Sequence, residues 1–232
     1  MTVPPPPPAT TSSRDSAAAA PPQPWGADPY ADALRAGSGP LFLRRPDGSL
    51  LPLDVHRWCG GADPADRSVL RRCRGSVLDI GCGPGRLVAE LAGRGRPVLG
   101  IDPSPAAVAR TRRRGGTALR RSVFDPLPAE GRWGSALLMD GNIGIGGDPA
   151  ALLDRVRALV AADGLLFVEA AASDVEEHLE ARLDDGEGGL SPAFPWARLG
   201  RTAVRRLARG AGWEVTAEWA VAERPFLALA RD

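Results

Sequence analysis

The residues best suited to chemistry lie at 77–86, which reads Val-Leu-Asp-Ile-Gly-Cys-Gly-Pro-Gly-Arg. A short apolar run enters a turn marked by Gly81, Gly83 and Gly85, and an apolar helical pattern follows at once. Glycine lets a backbone turn tightly and approach a ligand, while the free N–H groups of a starting helix face that turn. Taken alone, such a turn suits any nucleoside or dinucleotide. Asp79 narrows the choice, because a carboxylate at the end of the strand attracts a cationic amine and repels a pyrophosphate. Spacing narrows it again, since the glycines follow GxGxG and not the GxGxxG of dinucleotide sites. Asp102, 21 positions past Gly81, closes the next apolar run and can accept hydrogen bonds from both hydroxyls of a ribose. Phe124-Asp125 and Asp140-Gly141-Asn142 follow two later apolar runs in the same way.

These residues must be placed by regular elements. Apolar runs at 77–80, 98–101, 117–123, 135–139 and 165–169 are short and unbroken, as strands buried on both faces are. Helical patterns alternate with them, so the chain predicts βαβ units and a parallel sheet covered by helices. Ser104-Pro105 and Asp148-Pro149 each set a capping side chain before a proline at the first helical position. A helix near 202–209 leads to runs at 213–219 and 226–230, whose connection is too short for a crossover and requires an antiparallel hairpin. Before the core, 25–74 reads as a cap of short helices and loops, including a helix after Asp63-Pro64. After it, 174–200 reads as a lid-like insertion whose acidic first part, with His178, has a helical look. Eight of the 23 prolines fall within 1–24, a composition that predicts a disordered tail.

Composition removes several kinds of function. The chain has 232 residues and a net charge of +1, so it offers no bulk field for nucleic acid or an anionic membrane. All 29 of its Lys+Arg residues are arginine, which excludes Schiff bases, a phosphate-loop lysine and a lysine base. Cys59, Cys73 and Cys82 fit neither a disulfide framework nor a zinc site, and no signal or membrane segment is visible. A cytoplasmic protein is expected, monomeric or homodimeric, with no metal. His56 and Cys59 alone do not make a metal site.

The motif 77–86 with Asp102, Phe124-Asp125 and Asp140-Gly141-Asn142 closely resembles the class I S-adenosylmethionine-dependent methyltransferases. The resemblance covers 75–170 well and implies a Rossmann-like, doubly wound α/β domain over 75–232, with a seven-stranded, mostly parallel sheet, an antiparallel C-terminal strand and a helical cap. It implies S-adenosylmethionine as cofactor. Gly81, Cys82, Gly83 and Gly85 would form the turn under its methionine part, and Asp79 would face its amino group. Asp102 would hold the ribose beside Pro103 and Ser104. Phe124 and Asp125 would flank adenine, with Asp125, before Pro126, having a turn as its lesser alternative. Asp140 would stand near the sulfonium. Cys82 is read as a small side chain between glycines and not as a nucleophile.

Methyl transfer is an in-line displacement for which orientation alone can remove about 7–11 kcal/mol of barrier, so a base is optional. If one is needed, the candidates are His56 and Asp140, with Asn142 orienting. The chain lacks the Asn-Pro-Pro-aromatic tetrapeptide of amino-methylating DNA enzymes, and 140–145 reads Asp-Gly-Asn-Ile-Gly-Ile instead. It has no RNA-binding module or basic stripe. Trp25, Tyr30 and Trp58 before the core, with Phe194 and Trp196 after it, suit a closed pocket for a small acceptor, plausibly a secondary metabolite. The alternatives left open are a nicotinamide-dependent oxidoreductase, a methyltransferase acting on protein or RNA, and a non-catalytic S-adenosylmethionine-binding protein.

Overall fold

The computed structural model describes residues 29–232, so the proline-rich 1–24 segment and Trp25 lie outside the described residues. The N-terminal part holds α1 (Pro29–Ala36), β1 (Phe42–Arg44), β2 (Leu50–Pro52), α2 (Val55–Cys59) and α3 (Pro64–Leu70). The core follows as β3 (Val77–Ile80), α4 (Arg86–Gly93), β4 (Val98–Asp102), α5 (Pro105–Arg113), β5 (Ala118–Arg120) and β6 (Trp133–Leu138). A 3-10 turn, Asn142–Gly144, leads to α6 (Pro149–Leu159) and β7 (Val160–Glu169). The remainder is β8 (Glu176–Asp184), β9 (Phe194–Leu199), α7 (Arg201–Gly210), β10 (Trp213–Val221) and β11 (Arg224–Arg231).

Seven strands form one sheet in the order β10-β11-β7-β6-β3-β4-β5. The pairings from β7 through β5 are parallel, and β11 runs antiparallel to both of its neighbours. This is the doubly wound sheet with a reversed final strand that the alternation and the resemblance lead one to expect. Its strands carry apolar residues on both faces because both faces are covered. Leu78, Ile80 and Leu166 pack toward Leu152, Val156 and Val204 on one side, while Val77, Leu137 and Phe167 pack toward Val69, Leu87 and Leu91 on the other. The helix starts are built as the capping residues predict. Ser104 accepts from the Ala107 N–H, Asp148 from those of Ala150 and Ala151, and Asp63 and Asp66 form a reciprocal capping box on α3.

Two expectations change. The 174–187 stretch is β8 and not a helix, and its burial alternates so that Leu179, Ala181 and Leu183 turn inward while His178, Glu180 and Arg182 stay exposed. The cap is not purely helical, because β1 and β2 form a hairpin that joins β8 and β9 in a second, antiparallel sheet of order β2-β1-β8-β9. The turn Pro46-Asp47-Gly48 makes that hairpin: Asp47 accepts from the Ser49 N–H and hydroxyl, and Gly48 takes φ +85°. A smaller correction concerns 117–123, of which only Ala118–Arg120 is strand. The chain then leaves the sheet in a turn in which the Ser122 N–H donates to Asp125 and the Asp125 N–H to the Ser122 carbonyl. Among the described residues, no helix is long and apolar enough to cross a membrane.

Candidate active site

The carboxyl ends of β3, β4 and β6 open into a cavity of about 640 Å³. That value lies near the middle of the range for ligand pockets, about 300–1,000 Å³. Its floor is the glycine turn after β3. Gly81, Gly83 and Gly85 take φ of +70°, +53° and +82°, a region that side-chain-bearing residues rarely enter. At Gly81 and Gly85 space forbids side chains as well. A Cβ on Gly81 would lie 2.6 Å from the Asn142 amide nitrogen, and one on Gly85 would overlap Thr111. The Asn142 amide donates to the Ile80 and Gly81 carbonyls at 2.8 and 3.0 Å, which ties the loop after β6 to the turn after β3.

Asp102 ends β4 at the cavity wall. Its carboxylate accepts from the Gly83 N–H at 2.9 Å and from the Ser104 N–H at 2.8 Å. Burial raises this carboxyl to about 6 against the pull of those two N–H groups. Asp79 lies one layer deeper and does not line the cavity. It is only 2% exposed, and its Oδ2 is buried without a hydrogen-bond partner. Burial pushes it up to about 7; Arg86 opposes the rise, and Asp140, Asp66 and Asp102 add to it.

Behind the floor lies a lattice of buried charge that sequence spacing does not reveal. Arg86 clasps Asp66 through Nε and Nη2, at 2.8 and 3.0 Å, and Asp140 through Nη1 and Nη2, at 2.6 and 3.0 Å. Arg57 reaches Asp140 at 3.1 Å. Arg224 grips Glu169 through two hydrogen bonds and also reaches Asp63 and Asp66. The Glu169 carboxylate accepts from the Asp140 N–H at 2.9 Å. Despite its burial, Asp66 is brought down to about 2 by Arg86, with Arg224 assisting. Asp140 is thus gripped from several sides, which holds its backbone at φ +55°, an uncommon value for a residue other than glycine.

The roof is the inner face of the second sheet. Leu43, Leu51, Leu183, Phe194 and Trp196 line the cavity from above, with Trp58 beside them. Roof and floor meet where Ile145 bridges to Trp196 and where Gly144 passes so close to the Ala197 carbonyl that a Cβ would overlap it. His178, on the outer face of β8, shares a hydrogen bond of 2.9 Å with the Gly147 carbonyl.

The structure therefore brings Gly81, Cys82, Gly83, Asp102, Pro103, Phe124, Asp140 and Asn142 to one cavity. Gly85 lies at the start of α4. Ser104 is buried as the cap of α5, and Asp125 is spent on the Ser122 turn; neither lines the cavity. His56 is exposed on α2 and does not line it either, so it is not placed to act as a base. Phe124 does line the cavity while 46% exposed, a flat apolar face left open at its wall. Sequence reasoning missed Leu43, Leu51, Leu183 and Arg198. The period-two pattern of β8 carried the signal for Leu183.

A family model described as a methyltransferase domain matches residues 62–218. The chain belongs to the methyltransferase-domain family. Its fold is that of a SAM-dependent methyltransferase from Bacteroides fragilis crystallised with S-adenosyl-L-homocysteine, at TM-score 0.75 and 19% identity over 88% of this chain and 94% of that one. It is also similar to the 1,6-didemethyltoxoflavin-N1-methyltransferase of Burkholderia thailandensis, at TM-score 0.54 and 20% identity over 74% of this chain and 77% of that one. A third neighbour is the glycopeptide N-methyltransferase MtfA in complex with S-adenosyl-L-methionine, at TM-score 0.58 and 16% identity over 75% and 95% of the respective chains. No curated protein sequence matches the chain significantly.

Proposed function

We propose that the protein transfers a methyl group from S-adenosylmethionine to a small organic acceptor. The observation that carries this reading is the convergence of the glycine turn and Asp102 on a cavity whose opposite wall is an apolar roof. The residues fit the cofactor. Backbone at Gly81, Cys82 and Gly83 can follow its methionine part, the Asp102 carboxylate can take ribose hydroxyls beside Pro103, and the open ring of Phe124 offers a face for adenine. Asp79, one layer beneath the floor, places negative charge under a cationic ligand once pH rises past about 7 and it ionises. When bound, S-adenosylmethionine supplies a methyl on a sulfonium, whose C–S bond breaks with its electron pair on sulfur as the acceptor's lone pair forms the new bond.

The chain's own work is orientation. The Asn142 amide fixes the loop after β6 against the glycine turn, and the Arg86 and Arg57 guanidinium groups grip the Asp140 side chain, which shapes this loop. With its oxygens engaged there, Asp140 acts as a positioning residue, and the acceptor proton leaves to solvent. Orientation of this kind removes about 7–11 kcal/mol of barrier without a base.

Calorimetric titration tests the reading. S-adenosylmethionine and S-adenosylhomocysteine should bind at one site and NADH should not; the reverse would establish an oxidoreductase. Asp102→Ala should weaken S-adenosylmethionine by about 1–3 kcal/mol through lost hydrogen bonds. Unchanged affinity would remove Asp102 from the site.

A further inference from the structure

The polar groups of the cavity are unevenly distributed. On the floor, Asp102 lines the wall and Asp140 is matched by Arg86 and Arg57. Arg121, exposed just past β5, also lines that side, so the acids and arginines of the floor balance, whereas the roof carries a local positive excess. Three of its inward-facing residues are charged: Arg45, just after β1, with Glu177 and Arg198, which pair directly across β8 and β9. Glu177 accepts from Arg45 Nη2 at 3.0 and 2.9 Å and from Arg198 Nη1 at 2.7 Å. Two guanidinium groups therefore share one carboxylate, an excess of one positive charge. Of the three residues, only Arg198 lines the cavity. Among the described residues its sole carboxylate partner is Glu177, which engages Nη1 and leaves Nε and Nη2 as donors. The side chain is 23% exposed, enough to reach a ligand and sheltered enough for its charge to act at reduced screening. Beside it, Trp196, Phe194, Leu183 and Leu43 present apolar surface.

We propose that the acceptor is an anionic small molecule with an apolar body, and that Arg198 binds its anionic oxygen group. This rests on the methyltransferase reading and adds the acceptor's chemistry to it. The positive excess at the roof supports it: Arg45 and Arg198 share the single carboxylate of Glu177, and an anion on the acceptor would balance the guanidinium that faces the cavity. A planar guanidinium with two free donors suits a carboxylate or sulfonate. The apolar roof excludes water from the body of such a ligand and strengthens that contact.

Two fluorescent probes of nearly the same shape test it on the full chain saturated with S-adenosylhomocysteine. The first, 1-anilinonaphthalene-8-sulfonate, is anionic; the second, N-phenyl-1-naphthylamine, lacks the sulfonate. The wild type should bind the anionic probe at one site at least about tenfold more tightly than the neutral one. Arg198→Gln should abolish that preference while leaving the neutral probe's affinity within about twofold. Glu177 keeps Arg45 as its partner in this variant, so the sheet is not left with an unpaired carboxylate. Equal affinity of the wild type for the two probes would overturn the proposal. So would a preference that survives Arg198→Gln, or one abolished instead by Arg121→Gln, the cavity arginine just past β5; the third, Arg86, is held by Asp66 and Asp140. A parallel titration of S-adenosylhomocysteine separates the two readings: its failure to bind would overturn the cofactor assignment, whereas normal binding with no anion preference overturns this proposal alone.

Discussion

Replacing Asp79 with Asn should change how stability depends on pH more than it changes stability at any one pH. Folding places this carboxyl in a dry site and raises it from the ordinary 3.8 to about 7. Between those values the folded chain holds a proton that the unfolded chain has released. Stability therefore falls as pH rises through that window, by about 1.4 kcal/mol per pH unit for a single group. By pH 8 the accumulated cost is about 4 kcal/mol, and below about pH 3 it vanishes. Asn at this position does not ionise. Its buried amide adds a cost of about 1–3 kcal/mol if unpaired, but that cost is the same at every pH. Urea unfolding at pH 5, 6, 7 and 8 isolates the effect, because the offset cancels in the slope. Wild-type stability should decline across this series relative to Asp79→Asn by a total of roughly 2–4 kcal/mol. S-adenosylmethionine should in turn bind the wild type more tightly as pH rises through 7, since only the ionised carboxylate attracts a cation, and Asp79→Asn should lose that dependence. Parallel stability curves for the two proteins would refute the account of Asp79 as a buried, displaced acid.

Four further outcomes are expected. Arg224→Met removes the two-point partner of Glu169 and one partner of Asp66, and should lower the unfolding free energy by about 3–5 kcal/mol, as breaking a buried ion pair does. Gly144→Ala forces a methyl into the Ala197 carbonyl and should lower Tm by at least about 2 °C, whereas Gly61→Ala, with open space around it, should not. His56→Ala should leave the methyl-transfer rate unchanged, and a large loss of kcat would return His56 to the site. In thiol titration at pH 8, Cys73, pushed by burial up to about 12, and Cys82, also raised by burial, should stay silent until the chain unfolds; Cys59, half-buried, is the one available to react.

The sheet and its glycine turn were legible because their signals are local. The run Val77–Ile80, the glycines at 81, 83 and 85, and the Ser104-Pro105 and Asp148-Pro149 caps each act within a few residues. The roof was not legible as a sheet. In 176–184 the residues Glu, His, Leu, Glu, Ala and Arg favour a helix by composition, yet Leu179, Ala181 and Leu183 alternate, and burying that face against Leu43 and Phe194 decided the outcome. Pro46-Asp47-Gly48 was a readable hairpin turn, but its partner strand β8 lies far along the chain. The charge lattice was harder still: Arg86 meets Asp66 and Asp140 at separations of 20 and 54 residues, and Arg224 meets Asp63 at 161. No periodicity links such positions. Asp125 shows the converse, a residue in a suggestive place whose carboxylate is engaged by its own turn.

The second sheet also bears on the order in which the protein assembles. Its central pairing, β1 with β8, joins segments some 140 residues apart, as the Arg44–Asp184 contact shows. Closing so long a loop before the intervening chain is organised carries an entropic cost with little local reward. The intervening 77–169 region folds by nearer contacts, with each βα unit supplying its own. Once that sheet exists, it holds the two ends of the roof at a short distance and the remaining closure becomes inexpensive. The roof of the cavity is thus expected to close late in folding. Substitutions in its strands should therefore speed unfolding more than they slow folding.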